Sequence, residues 1–157
     1  FNCKYRYMQL NLPHYEVALQ RGASGIKIFD RLRNKYVALT PEEWVRQHFI
    51  EFLIKDRGFP PSLMGNEVGL TLNGTQRRCD SVLFNAKGEA VAIIEYKAPT
   101  VTLSQKTFDQ IARYSMVLNA PYLIVSNGMV HYCCEIDYSN HSYRFLKEIP
   151  FYRDLKK

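Results

Sequence analysis

The sequence predicts an α/β fold in which a helix, a three-strand meander, a second helix and a fourth strand build a mixed central sheet, extended by a C-terminal hairpin. Three observations carry this reading. A helix start at Thr40-Pro41-Glu42-Glu43 leads into an apolar stripe at helical spacing. Three strand-like runs follow, separated by Asn73-Gly74 and by residues 85–88. A second helical segment then divides the third run from a fourth, and such a crossover makes the two strands parallel in a right-handed connection.

The elements follow in order. Residues 1–38 are polar and basic and are broken by Gly22 and Gly25, so they read as an N-terminal arm with short elements. Arg31, Arg33 and Lys35 form a small basic cluster there, either a solvated face or a strip of phosphate contacts. The core is expected over 39–136 and a polar tail over 137–157, all within one domain. The first helix begins with Thr40 as N-cap and Pro41 in the first turn. It buries Phe49, Ile50, Leu53 and Ile54 and runs to about Lys55, before Gly58 and Pro60-Pro61 end it.

Val68, Leu70 and Leu72 alternate with polar or small residues, a half-buried strand. Asn73-Gly74 suits a type I′ hairpin, which needs positive φ at both central residues. A second strand covers 76–84 and a third 90–97, the latter apolar on both faces until its end, as a central strand should be. A helix over 104–118 turns Phe108, Ile111, Ala112 and Ser115 inward. A buried strand over 121–125 follows, Asn127-Gly128 turns the chain into a strand over 129–135, and 143–146 ends the extension.

Composition sets the outer limits. The 157 residues are 46% hydrophobic, enough for one sizeable core, and 13% aromatic with 11 Tyr. No stretch approaches the roughly 20 apolar residues of a membrane span, and the opening FNCKYRYMQL lacks a signal-peptide pattern. The expectation is a soluble cytoplasmic protein with no membrane partner. Cys3, Cys79, Cys133 and Cys134 have no zinc-type C-x-x-C spacing and read as reduced, small apolar residues. Cys133 and Cys134 are adjacent on a strand, so they point to opposite faces. Asn73-Gly-Thr75 and Asn140-His-Ser142 match the glycosylation triplet but carry little weight without a secretion signal. The net charge of +6 and pI near 9.2 favour a polyanionic partner without naming one.

The chemistry is carried by strand parity. Glu95 and Lys97 lie two apart on one strand and share a face. Asp80 lies on the preceding antiparallel strand. With a four-residue turn over 85–88, Asp80 faces Ile93 and is diagonal to Glu95; with a loop two residues longer, it faces Glu95 directly. Either register puts both carboxylates and the ammonium on one face, whereas an intermediate register separates them. Paired carboxylates repel unless a cation lies between them. An ion-pair cluster capping two strands is the structural alternative. A magnesium ion suits the pair, because it takes one or two carboxylates together with waters and phosphate oxygens.

Asp80, followed on the next strand by Ile94-Glu95-Tyr96-Lys97, resembles the PD-(D/E)XK nuclease signature. Leu39-Thr-Pro-Glu-Glu-Trp-Val-Arg46, Arg78-Cys-Asp80, Glu95-Tyr-Lys-Ala-Pro99 and Asn127-Gly128 resemble more narrowly the nuclease domain at the N-terminus of type I restriction enzyme R subunits. The resemblance covers about 28–135. It implies a restriction-endonuclease-like core and divalent-metal-dependent hydrolysis of phosphodiester bonds in DNA, with magnesium or alternatively manganese. It also implies that Asp80 and Glu95 are metal ligands, the Tyr96 carbonyl a third, and Lys97 the catalytic lysine. Gln110-x-x-x-Tyr114 resembles the Q-x-x-x-Y element that supports the site and contacts DNA; a polar helix face with a packed Tyr is the plainer reading. Glu43 matches the family's first-helix acid, an additional candidate ligand, and equally completes a capping box with Thr40. Arg78 shares the Asp80 face by alternation, as a phosphate contact or simply an exposed strand end. Cys79 stands where many members have Pro.

No G-x-x-x-x-G-K-[ST] occurs, so ATP-driven translocation is not expected of these residues. A homo-oligomer or a larger restriction-type assembly is compatible with the resemblance. Two other functions fit the same fold, a nucleic-acid-binding module without turnover and a pure interaction domain.

Overall fold

The computed structural model describes residues 9–157, and Cys3 lies outside them. The N-terminal region is more than an arm. Strands β1 (Leu19–Gly22), β2 (Gly25–Asp30) and β3 (Lys35–Ala38) form an antiparallel sheet in the order β1-β2-β3. Gly25 at φ 119° and Asn34 at φ 53° allow its two tight turns. Ile28 and Asp30 of β2 are fully buried, which fastens this sheet to the rest of the protein.

Helix α1 (Pro41–Arg57) begins as the sequence requires, the Thr40 hydroxyl accepting the Glu43 N–H at 3.1 Å. Gly58, at φ 74°, donates its N–H to the Leu53 carbonyl and ends the helix two residues beyond Lys55. A meander of β4 (Met64–Leu72), β5 (Thr75–Phe84) and β6 (Ala90–Tyr96) follows. Asn73 and Gly74, at φ 51° and 77°, make the positive-φ pair of the hairpin. Helix α2 (Gln105–Met116) is capped by Ser104 and carries the crossover to β7 (Tyr122–Ser126), which runs parallel to β6. β8 (His131–Asp137) and β9 (Ser142–Phe145) complete a mixed six-stranded sheet, β4-β5-β6-β7-β8-β9.

Three further features differ from the sequence expectation. Asn119, at φ 60°, breaks the chain after α2, which ends at Met116 rather than near Leu118. β8 starts at His131 rather than 129, because the Asn127 carboxamide accepts the N–H groups of Met129 and Val130 and makes a longer turn. The C-terminal tail is not merely polar: Ile149 and Leu155 are buried, and the Ile149 carbonyl accepts from Arg57 at 2.7 Å.

The sheet divides the core into two layers. Phe49, Ile50 and Leu53 of α1 pack with Leu83, Ile94, Ile124 and Cys133. Phe108 and Ala112 of α2 pack with Val82, Ile93, Leu123 and Cys134. The adjacent cysteines thus enter opposite layers. Ala92, Ile93 and Ile94 are each buried to 1% exposure or less, which places β6 at the centre of the sheet.

A buried polar chain joins the N-terminal sheet to this centre. Asp30 accepts from the backbone N–H groups of Leu32 and Arg33, from the Arg33 guanidinium and from the Asn66 amide. Asn66 in turn accepts from Ser81, whose hydroxyl accepts from Tyr96 at 2.9 Å. Burial alone would raise the Asp30 carboxyl, but the Arg33 N–H, Asn66 and the Arg33 guanidinium together hold it below the ordinary range.

Asp30→Asn should therefore cost about 3 kcal/mol at neutral pH, measured by urea denaturation, because it leaves Arg33 and Asn66 poorly paired inside the protein. A depressed native pKa contributes stability above the unfolded value that is lost as pH falls through the native one. The deficit of the variant should shrink accordingly in acid below about pH 4.

Candidate active site

Site geometry begins with the turn between β5 and β6. Phe84 pairs with Ala90, the intermediate register that would place Asp80 and Glu95 on opposite faces. A bulge then shifts the pairing, so that Leu83 faces Ala92, Val82 faces Ile93 and Ser81 faces Ile94. Val91 is the extra residue, and it enters the α1 layer beside Ala92 instead of alternating with it. Continuing this register sets Asp80 directly across from Glu95.

The Asp80 carboxylate accepts the Tyr96 backbone N–H at 2.9 Å, which ties it to the strand that carries Glu95. Both acids open into a cavity of about 500 Å³, with Glu43, Arg46, Glu67, Tyr96, Lys97, Gln110 and Tyr114 also in its wall. Every site residue inferred from the sequence lines this space except Arg78. The Arg78 guanidinium is exposed and pairs with Glu67 at 3.3 Å, while the Tyr114 hydroxyl lies against the Arg78 backbone. Arg77 stacks on the Tyr114 ring, 4.7 Å from its centre.

Glu95 is the electrostatic anomaly. Its Oε1 is buried with no hydrogen-bond partner among the described residues. Burial, the Asp80 charge and a hydrogen bond to the Asp80 side chain push its carboxyl up to about 9, against a weaker pull from Lys97. Lys97 forms no ion pair with either acid among the described residues. Burial and the neighbouring Asp80 thus favour the protonated form of Glu95 at neutral pH.

Glu43 does not close the capping box. Its carboxylate accepts from Arg46 at 2.6 and 2.8 Å, from Gln47 at 2.9 Å and from Arg33 at 3.2 Å, leaving the Thr40 amide aside. Among the described residues no three His, Cys, Asp or Glu side chains gather as a metal-holding group. Glu43 is thus the inner anchor of Arg46. That arginine also bonds Glu67 and the Asp80 carbonyl, each at 2.9 Å, and so links α1, β4 and β5.

Arg46 and Glu67 are the residues that sequence reasoning missed. Arg46 did carry a signal: Arg46, Phe49, Ile50 and Leu53 follow the i, i+3, i+4, i+7 pattern, so a charge extends the buried stripe. Glu67 carried none. It sits at φ 54°, and this left-handed residue interrupts alternation, so that Asn66 joins the Asp30 chain while Val68 faces the α2 layer.

Comparisons with known proteins give the chain a family and a fold relative. Residues 41–150 match the family model described as the type I restriction enzyme R protein N terminus, a stretch that begins with α1 and includes every cavity residue named above. A solved fragment described as a putative HsdR subunit of a type I restriction enzyme from Vibrio vulnificus YJ016 has a TM-score of 0.53 and 20% sequence identity. The match covers 76% of this chain and 25% of that one, so the matched region is a quarter of that fragment's length, and the likeness is one of fold. No curated protein matches. Among the described residues no helix is long and apolar enough to cross a membrane.

The raised Glu95 carboxyl has a thermodynamic consequence. A native pKa above the unfolded value contributes stability that is complete below the unfolded pKa and is lost as pH rises through the native one. In chelator-treated protein the melting temperature should fall between about pH 5 and pH 9. Glu95→Gln should flatten this slope and be the more stable protein at the alkaline end. A slope unaffected by the substitution would show that Glu95 ionises normally.

Proposed function

The chain belongs to the family of the type I restriction enzyme R protein N terminus, and on that premise we propose that it is a divalent-metal-dependent nuclease that hydrolyses phosphodiester bonds in DNA. In this reading the helix, meander, helix and strand are a PD-(D/E)XK core, and the chain works within a restriction-type assembly on DNA. The observation that carries the proposal is the Asp80–Glu95 pair in the cavity wall, with one buried carboxylate oxygen of Glu95 left without a hydrogen-bond partner among the described residues. An orphaned buried acceptor is costly, and a carboxyl held protonated beside a second carboxylate suits a cation that displaces the proton.

Asp80, Glu95 and the Tyr96 carbonyl would hold magnesium, or manganese, which supplies Lewis-acid charge to a phosphodiester when bound. The chain's own groups do the rest. The Tyr96 N–H fixes the orientation of Asp80, and the Asp80 carbonyl is fixed by Arg46. Lys97, in the same wall and free of ion pairs among the described residues, orients the attacking water and stabilises charge developing on the phosphate. Gln110 and Tyr114 present a polar helix face to the entering strand, and the net charge of +6 favours the polyanion as a whole.

Asp80→Ala and Glu95→Ala should each abolish magnesium-dependent nicking of a plasmid while remaining folded. Lys97→Met should lower the rate by about two to four orders of magnitude with DNA binding in calcium retained. Lys97→Arg should restore little, since a guanidinium differs in shape and keeps its proton. Undiminished cleavage by either carboxylate variant removes the assignment.

A further inference from the structure

One contact in the cavity is not explained by holding a metal ion or by packing. The Glu67 carboxylate bridges two guanidinium groups, with Oε1 2.9 Å from Arg46 Nη1 and Oε2 3.3 Å from Arg78 Nε. Its backbone is left-handed at φ 54°, a conformation that costs a residue with a Cβ on the order of 1–2 kcal/mol. β4 pairs with β5 through Asn66–Ser81 and Val68–Cys79, and Glu67 occupies the gap between them, opposite Asp80. The side chain remains 31% exposed, and it stands apart from the Asp80–Glu95 pair as a metal group. The fold therefore bears a strained residue in order to hold one carboxylate between two arginines at the wall of the cavity.

We propose that Arg46 and Arg78 form a subsite for a backbone phosphate of the substrate, and that Glu67 occupies it until the substrate arrives; this rests on the DNA-cleaving reading above. A carboxylate and a phosphodiester both offer two oxygens to guanidinium donors, so one can replace the other. Arg46 is preorganised for the exchange. Its Nε and Nη2 are held by Glu43 and its Nη1 also by the Asp80 carbonyl, so it stays in place when Glu67 leaves. Arg78, 69% exposed, is the half open to solvent. An approaching polyanion repels Glu67, and its departure frees the two donors. Because Arg46 also grips Asp80, a phosphate seated there is fixed relative to the proposed reacting centre.

The test compares Glu67→Ala and the milder Glu67→Gln with the unaltered protein in binding a labelled DNA duplex in calcium across a salt series. Both variants should bind about tenfold tighter, and log affinity against log salt should steepen by about 0.9 for each additional phosphate neutralised. Arg78→Ala combined with Glu67→Ala should cancel the gain. Glu42→Gln removes a charge from the same cavity wall without freeing an arginine, and should have the smaller effect. Equal tightening by Glu42→Gln, or unchanged affinity and slope in folded Glu67 variants, overturns the proposal. If neither the unaltered protein nor its variants bind DNA, the nuclease reading fails separately. Inorganic phosphate, followed by calorimetry, then decides the subsite: tighter binding by Glu67→Ala upholds it and equal binding overturns it.

Discussion

Two carboxyl groups on neighbouring strands, Asp80 and Glu95, face one another at the wall of a partly buried cavity, and much of the surrounding architecture holds them there. Burial and mutual repulsion both oppose two negative charges in this position. Both effects raise the Glu95 carboxyl, and Lys97 offers no ion pair to either acid among the described residues. That leaves one buried oxygen unsatisfied, an arrangement that costs stability and has no value to packing. On the reading developed above, the cost is offset when a divalent cation takes the proton's place.

The supporting structure can be followed outward from that pair. A bulge at Val91 sets the strand parity, the Tyr96 N–H orients Asp80, and Arg46 holds the Asp80 carbonyl. Arg46 is itself held by Glu43, which Arg33 also contacts, and Arg33 is anchored by Asp30. Asp30 reaches the opposite side of the same strands through Asn66, Ser81 and Tyr96. The N-terminal sheet therefore braces the site from two directions, by ion pairs at the cavity and by the hydrogen-bond chain that starts at Asp30 behind it.

What was legible in the sequence was what depends on local periodicity. The Thr40 cap, the Asn73-Gly74 hairpin, the doubly buried third strand and the parallel crossover all follow from spacing and turn chemistry, and all are present. The cavity residues Asp80, Glu95 and Lys97 were reached by parity, though neither a clean four-residue turn nor a longer loop sets their register. A bulge corrects an intermediate one, and nothing in Asn85 to Val91 announces it. Glu67 was hidden for a related reason: alternation is a rule for regular strands, and a left-handed residue suspends it. The partners of Glu43 were hidden because a capping box and a buried ion pair use the same carboxylate, and only tertiary contact with Arg46 and Gln47 selects between them.

The central claim is that a protonated carboxylate pair gives up its proton to a cation. Isothermal titration calorimetry with magnesium at about pH 7.5, repeated in buffers of different ionisation enthalpy, counts that proton directly. The account predicts release of close to one proton for each ion bound. Binding with no proton released, or no binding at millimolar magnesium, would contradict it.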